Sequence, residues 1–391
     1  MATASFRLNR PRILVADDQT DIIVALDVLL KNEGYEVHSA TSPAAALEAL
    51  RESAFDLVLM DLNYSRQPTS VREGIDLLAQ IEAVDPLIPV VVMTAWGSID
   101  LAVEAMNIGA SNFIQKPWDN RKLVELVREH VERGRSRRRS ERRRTQEKLE
   151  LEEAGQVQRG FLPPSLPQVE ACEMAVRWQP KGSLGGDYYD VFPLDGRRLG
   201  FCVADASGKG LPAALLMSNL QAGLRSLADT SAGPAETVTR LNRLFCANRL
   251  TNKFFTLFYG VLDLGRFELT YSNAGHPPPV VRNRDGGVST LKGTGGLVGC
   301  FPDWAYKQEA VRLGPGDRVW LYTDGLSEAR DTGGGEFGPA RLEKLMDEVH
   351  AAPLSEAQDR VWAAVLEFSG GSFDDDATLL TFHLTGPSSA A

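Results

Sequence analysis

Between Arg12 and Arg133, short apolar runs alternate with helix-like stretches, and most of the runs end on a residue that can do chemistry. Ile13–Ala16 leads into Asp17 and Asp18; Asp56–Met60 ends on Asp61, Val90–Met93 on Thr94, and Asn112–Gln115 on Lys116. Tyr35–Ala40 completes the set, and helix patterns fall at Ile22–Leu30, Pro43–Arg51, Glu73–Val84 and near Ile99–Met106. Strands that are apolar throughout are buried on both faces, so this order predicts a doubly wound, parallel five-stranded α/β sheet. Ligands of such sheets bind at the carboxyl ends of the strands, where Asp17, Asp18, Asp61, Thr94 and Lys116 all fall. Crowded carboxylates repel one another and invite a divalent cation. With Mg²⁺ bound, one carboxylate can attack a phosphoryl donor, and a Lys and a Thr hydroxyl can hold the new phosphoryl oxygens. A lone Asp or Lys at a strand end is ordinary solvation; that explanation does not stretch to the whole cluster.

The pattern resembles the receiver domain of two-component response regulators. The resemblance implies Asp61 as the phosphoacceptor for a cognate histidine kinase. It also implies one Mg²⁺ held by Asp18, Asp61 and the carbonyl of Asn63, with Asp17 helping through water. Thr94 and Phe113 would be the switch pair and Lys116 the phosphate contact. The loop Tyr64–Arg72 is longer than this connection needs.

The second half of the chain turns on Val203–Pro212, where an apolar run ends on Asp205, an Ala-Ser-Gly turn follows, and an apolar helix pattern opens at Leu211. Hard cations take carboxylate and carbonyl oxygens of this kind. Gly185-Gly186-Asp187, Tyr322-Thr323-Asp324-Gly325 and Asp374-Asp375-Asp376 likewise place Asp at the edges of apolar segments. Asp before Gly is common turn chemistry, but four such sites in one region are not explained by turns alone. The strand pattern covers Met174–Trp178, Tyr188–Pro193, Leu199–Val203, Phe255–Leu262, Glu268–Ser272, Pro279–Val281, Val319–Tyr322 and Thr378–Phe382. Helical stretches interrupt it near Leu211–Ala228 and Ala235–Asn248. An α+β, antiparallel β-sandwich flanked by helices is expected.

From about Gly155 to His383 the motifs resemble the SpoIIE/RsbU-like branch of the PPM metal-dependent phosphatases: Gln156-x-x-x-x-Phe161-Leu162-Pro163, Gly-Gly-Asp187-Tyr-Tyr-Asp, Asp205-Ala-Ser-Gly-Lys-Gly, Asn273-Ala-Gly-His276-Pro, Tyr-Thr-Asp324-Gly and Asp375-Asp-Ala-Thr. The resemblance implies a serine/threonine phosphatase with two Mg²⁺ or Mn²⁺ ions held by Asp187, Asp205, Asp324 and Asp375 and the carbonyl of Ala206. Such ions neutralise phosphate oxygens and activate water for in-line attack. A phosphorylated anti-sigma-factor antagonist is the substrate implied. His276 reads either as a general acid or as a group ordering its loop. Ser207 stands where the animal branch carries a proposed acid, a His, and no Arg precedes Asp187 to grip phosphate; Lys181 is the nearest candidate. Lys209 is not part of a P-loop, since no GxxxxGK[ST] pattern surrounds it.

Three segments are therefore expected: a receiver over 12–133, a helical or coiled-coil linker over 134–164 and a phosphatase over 165–385. The linker helix starts near Asp119, carries Leu123, Val124, Val127 and Val131, and then enters an Arg-rich run after Arg133, with Gly134 and Gly155 as weak points. The Arg run reads as a solvated helix balanced by Glu147, Glu150, Glu152 and Glu153, rather than as a nucleic-acid surface. A net charge of −10 points the same way. Leu149, Leu151 and Val157 restore apolar character, and a homodimer through receiver and connector is expected. Four isolated cysteines, 172, 202, 246 and 300, fit a reducing compartment. The start does not read as a signal peptide and the apolar runs are too short to span a membrane, so a cytoplasmic protein is expected. Two rivals remain: a non-catalytic receiver–phosphatase-like adaptor that binds a regulatory partner, and a DNA-binding regulator using the Arg-rich helix.

Overall fold

The computed structural model describes residues 10–64, 70–94, 99–247 and 253–386. The chain divides into two compact units between Glu147 and Lys148. In the first, β1 (Arg12–Ala16), α1 (Thr20–Asn32), β2 (Glu36–Ala40), α2 (Pro43–Glu52), β3 (Leu57–Asp61), α3 (Ser70–Val84), β4 (Val90–Thr94), α4 (Ile99–Ile108) and β5 (Asn112–Gln115) alternate before α5 (Asn120–Arg159). The strands form one parallel sheet in the order β2-β1-β3-β4-β5. The three inner strands are uniformly apolar because both their faces are covered. Leu14, Val58, Met60 and Val92 face a layer built on α2 and α3. Their neighbours Ile13, Val15, Leu59 and Val91 face α1 and the start of α5. Of the long Tyr64–Arg72 loop, residues 65–69 lie outside the described residues, and α3 already begins at Ser70.

Helix α5 runs unbroken for 40 residues. Of the expected apolar positions, Leu123, Val127 and Val131 are buried in the core of the first unit, and Val124 is half-buried. That stripe is therefore used within the receiver. Gly134 is a contact rather than a weak point, because a Cβ there would lie 2.8 Å from Pro89 Cδ. The Arg-rich run is anchored in part on the receiver's own acids. Arg135 forms a two-pronged pair with Asp56, Arg138 reaches Asp85, and Arg143 pairs with Glu147 one turn on.

The second unit contains β6 (Cys172–Gln179), β7 (Tyr188–Pro193), β8 (Arg198–Ala206), α6 (Leu211–Leu227), α7 (Pro234–Ala247), β9 (Phe255–Asp263), β10 (Glu268–Ala274), β11 (Val280–Arg282), β12 (Val288–Thr290), β13 (Glu309–Arg312), β14 (Arg318–Tyr322), α8 (Asp324–Ser327), α9 (Pro339–Glu348), α10 (Leu354–Phe368) and β15 (Ala377–Leu384). Two antiparallel five-stranded sheets result, ordered β13-β10-β9-β8-β7 and β12-β11-β14-β15-β6. They face one another across an aromatic core in which Phe201 and Phe382 approach to 4.5 Å between ring centroids. Helices α6 and α7 pack on the first sheet, and α10 packs on β6 and β15 of the second. Asn248, expected at the end of α7, lies outside the described residues. Helices α9 and α10 were not anticipated from the sequence. They cover Trp320, Tyr322 and Leu379 with Leu342, Met346, Val361 and Trp362.

Candidate functional site

In the first unit the strand ends deliver Asp17, Asp18 and Asp61 so that one oxygen of each lies within 4.8 Å of the others. Asp17 and Asp61 are buried, while Asp18 is exposed. Lys116 Nζ donates to both buried carboxylates at 2.7 Å. Burial alone would lower the ammonium's pKa, but Asp17 and Asp61 together hold it above its ordinary value. Burial pushes the Asp61 carboxyl up, against the hydrogen bond and charge of Lys116 and a hydrogen bond from the Asn63 backbone. Asp61 Oδ1 is buried with no hydrogen-bond partner. Three carboxylates and an orphaned oxygen make a donor set that suits a hard divalent ion such as Mg²⁺. Thr94 is buried at the end of β4, and Phe113, 46% exposed, lies on the adjacent strand.

In the second unit the β-ladders assemble the acids. Tyr188 pairs with Ala204 on β8, so the next step of that ladder sets Asp187 beside Asp205. On the opposite sheet Tyr322 pairs with Leu379, which brings Thr323 and Thr378 together. Their hydroxyls donate to Asp187 Oδ2 at 2.8 and 2.6 Å. Asp187 thus joins the two sheets at one end of the sandwich, and its other oxygen is buried without a partner. Asp324 opens α8, and Asp375 lies in the turn before β15. Asp375 is half-exposed and paired to Lys209 Nζ at 2.6 Å. Asp376, the neighbour that the sequence reading passed over, accepts from the backbone N–H of Lys181 and of Gly186 at 2.8 and 2.6 Å. Ala206 N–H donates to Gly186 O at 3.3 Å, tying the Asp205 turn to the Asp187 loop.

These acids act on one another. Burial first, and then Asp205, pushes the Asp187 carboxyl well above the usual range. The Asp205 carboxyl is pushed up to about 8 by burial, then by Asp324, Asp375 and Asp376. Asp324 is raised by burial, then by Glu328 and Asp375. Among the described residues, only Asp17, Asp18 and Asp61 form a three-carboxylate group within 4.8 Å, so the acids of the second unit are a looser cluster. Ligands shared between two ions are spread over a wider span than those of one ion. Acids of raised pKa, with Asp187 buried and Asp205 and Asp324 half-buried, an orphaned Asp187 oxygen and an all-oxygen donor set fit Mg²⁺ or Mn²⁺. Beside them opens a cleft of ≈ 480 Å³ lined by Lys181, Lys209, Arg330, Asp324, Asp374 and Asp375.

The other candidates have local roles. His276 is buried; burial pushes its imidazole down to about 3, so it is neutral at ordinary pH. Its Nδ1 is 2.9 Å from Thr256 Oγ1, and Asn273 closes the turn by bonding both its backbone N–H and its carbonyl. Of the two readings, the ordering role fits. Ser207 Oγ accepts from Phe254 N–H, and Lys181 Nζ reaches Asp374 O at 2.6 Å.

The Asp205 proton has a consequence for pH. From about pH 4, the ordinary carboxyl value, to about 8, the metal-free native chain holds a proton that the unfolded chain has lost. Its stability should fall as pH rises across that window and level off above it. Ion binding needs the carboxylate and must expel the proton, so Mn²⁺ affinity should rise over the same range. Thermal melts near pH 5.5, 7 and 8.5 should show a falling Tm for EDTA-treated protein and a growing gain on adding Mn²⁺. A Mn²⁺ gain independent of pH would contradict the assignment.

A family model described as "Response regulator receiver domain" matches residues 13–128, and one described as "Stage II sporulation protein E (SpoIIE)" matches residues 195–385. Phosphoserine phosphatase RsbU of Bacillus subtilis (strain 168) is 32% identical over 237 residues, covering 60% of this chain and 70% of RsbU. The solved RsbU and RsbW domains of Rv1364c from Mycobacterium tuberculosis are 27% identical with a TM-score of 0.53, over 58% of this chain and 64% of that one. The SiaA-PP2C domain of Pseudomonas aeruginosa is 25% identical with a TM-score of 0.55, over 61% of this chain and 98% of that one.

Proposed function

This chain belongs to the SpoIIE family of protein serine/threonine phosphatases and carries a response-regulator receiver domain ahead of the phosphatase, and from that pairing we propose that Asp61 phosphorylation regulates dephosphorylation of an anti-sigma-factor antagonist. The observation that carries the reading is the convergence of Asp187, Asp205, Asp324 and Asp375 on one end of the sandwich beside a cleft that sets Lys181, Lys209 and Arg330 against Asp324, Glu328, Asp374 and Asp375. In this proposal Asp187, Asp205, the Ala206 carbonyl, Asp324 and Asp375 hold two Mg²⁺ or Mn²⁺ ions. Bound there, the ions supply charge neutralisation and activated water. Thr323 and Thr378 fix the Asp187 carboxylate, and Lys209 neutralises Asp375 while it is free. In the receiver, Asp18, Asp61 and the Asn63 carbonyl would take Mg²⁺, with Asp17 helping through water, and Lys116, Thr94 and Phe113 would read the phosphoryl group donated by a histidine kinase.

The division proposed is a receiver over 12–133, a linker over 134–164 and a phosphatase over 165–385. Leu149 and Val157 are 55% and 60% exposed and stand eight residues apart on α5, on the same side of the helix, with Leu151 also exposed. These exposed apolar side chains support a homodimer through the connector. No helix among the described residues is long and apolar enough to cross a membrane. The test uses the full chain, Mn²⁺ and phosphorylated candidate antagonists, with and without beryllofluoride to mimic the aspartyl phosphate. Phosphate release whose rate changes with beryllofluoride is expected. Hydrolysis of p-nitrophenyl phosphate but of no antagonist would remove the substrate assignment, and a rate indifferent to beryllofluoride would remove the regulation.

A further inference from the structure

The end of α5 is not a free spacer. Gln158, the residue before its last, is 3% exposed. Its Nε2 donates to Gly185 O at 2.5 Å, and Gly185 N–H donates back to Oε1 at 3.0 Å. A side-chain amide that donates to the carbonyl and accepts from the N–H of one residue holds the two peptide units that flank it. One turn earlier on the same face, Gly155 meets Ser183, and a Cβ there would lie 2.1 Å from the Ser183 carbonyl. Ser183 and Gly185 belong to the loop that ends on Asp187. The far side of that loop is tied to the acids: Gly186 N–H to Asp376, Gly186 O to Ala206 N–H, and the Asp187 carboxylate to Thr323 and Thr378. Two peptide units separate the point where α5 grips from the carboxylate.

We infer that Gln158 is a positioning residue that sets the Asp187 loop, so that the last turn of α5 governs how tightly the phosphatase centre holds its metal ions. The inference rests on the metal-centre reading above. It goes beyond that reading by naming the contact through which the connector acts. The chemistry requires an amide. An apolar side chain of the same length would leave a buried N–H and C=O of Gly185 unsatisfied. A Glu would serve the N–H but oppose the carbonyl with a second oxygen. Any rotation or slide of α5 is delivered to Gly185 directly, because a glycine interposes no side chain and Gly155 leaves no space for adjustment.

The test titrates Mn²⁺ calorimetrically into the full chain, in an Asp18→Asn, Asp61→Asn background so that the receiver acids take no ion. Gln158→Leu and Gly155→Ala should each weaken Mn²⁺ binding about tenfold or more, from the two unsatisfied groups or the clash. Turnover of p-nitrophenyl phosphate should return towards that of the parent at saturating Mn²⁺, with KM unchanged. Gln158→Glu should fall between, and Gln156→Ala, at an exposed position, should behave as the parent. A merely structural role would lower Tm and turnover at every Mn²⁺ concentration without moving the Mn²⁺ affinity. That outcome in Gln158→Leu and Gln158→Glu overturns the inference while leaving the metal centre standing. A parent chain that binds no Mn²⁺ overturns the metal-centre reading itself, and the inference with it.

Discussion

Asp205→Ala is expected to reduce Mn²⁺-dependent hydrolysis of p-nitrophenyl phosphate to near background while the chain stays folded. On the proposed assignment Asp205 is one of the four acids that would hold the two ions, so its loss weakens charge neutralisation and the activated water together. Each is a contribution of several kcal/mol to the transition state, and at about 1.4 kcal/mol per tenfold the loss is on the order of 10³-fold or more. Folding should survive, because the side chain lies at the end of β8 and its carboxyl is a burden in the metal-free protein. Burial and three neighbouring acids push it up to about 8, so removing it relieves repulsion among Asp187, Asp324 and Asp375. The EDTA-treated variant should therefore melt at or above the parent at pH 8, and Mn²⁺ should no longer raise its Tm. A variant that keeps most of the parental turnover would show that the metal site has been assigned to the wrong acids.

The acids were legible in the sequence because each closes an apolar strand, and an apolar run ending on Asp is a local signal. What holds them was not legible. Thr323 and Thr378 reach Asp187 across 136 and 191 residues of chain, and only the pairing of β14 with β15 brings them together. Asp376 sits next to a predicted ligand and looks like more of the same acidic turn, yet its carboxylate closes the Lys181–Gly186 backbone. Strands β12 and β13 escaped because they are exposed edges with no alternating apolar face to read. Helices α9 and α10 carried a usable signal, Leu342 with Met346 and Ala357 with Val361 and Val365, in stripes spaced four residues apart. At the end of α5 the motif drew attention to Gln156, which is exposed. The buried phase runs through Gly155, Gln158 and Leu162, a three- and four-residue spacing that the apolar Leu162 would have fixed. The first apolar stripe of α5, Leu123 with Val127 and Val131, is taken by the receiver core, so the dimer proposal stands on the second stretch alone.

Acetyl phosphate with Mg²⁺ should label the chain at one position, and Asp61→Asn should abolish the label. Of the carboxylates around Lys116, Asp17 has one oxygen on Lys116 and the other accepting from Gln19 N–H, so both its oxygens have partners. Asp18 is exposed at the rim. Asp61 alone has a buried oxygen with no partner, set at the end of the central strand β3. Lys116 holds its other oxygen, so the free one is presented for attack on phosphorus while the ammonium remains close enough to meet the charge that arrives. The adduct should be an acyl phosphate, lost in mild alkali and on hydroxylamine treatment. Lys116→Ala should leave two buried carboxylates uncompensated, and burial would then favour their protonated, non-nucleophilic forms. Its labelling rate should fall steeply and recover as pH is raised, because deprotonation restores the nucleophile, whereas Asp61→Asn should stay unlabelled at every pH. Label that persists in Asp61→Asn, or that proves stable to alkali as a Ser or Thr ester would be, would exclude this carboxylate as the acceptor.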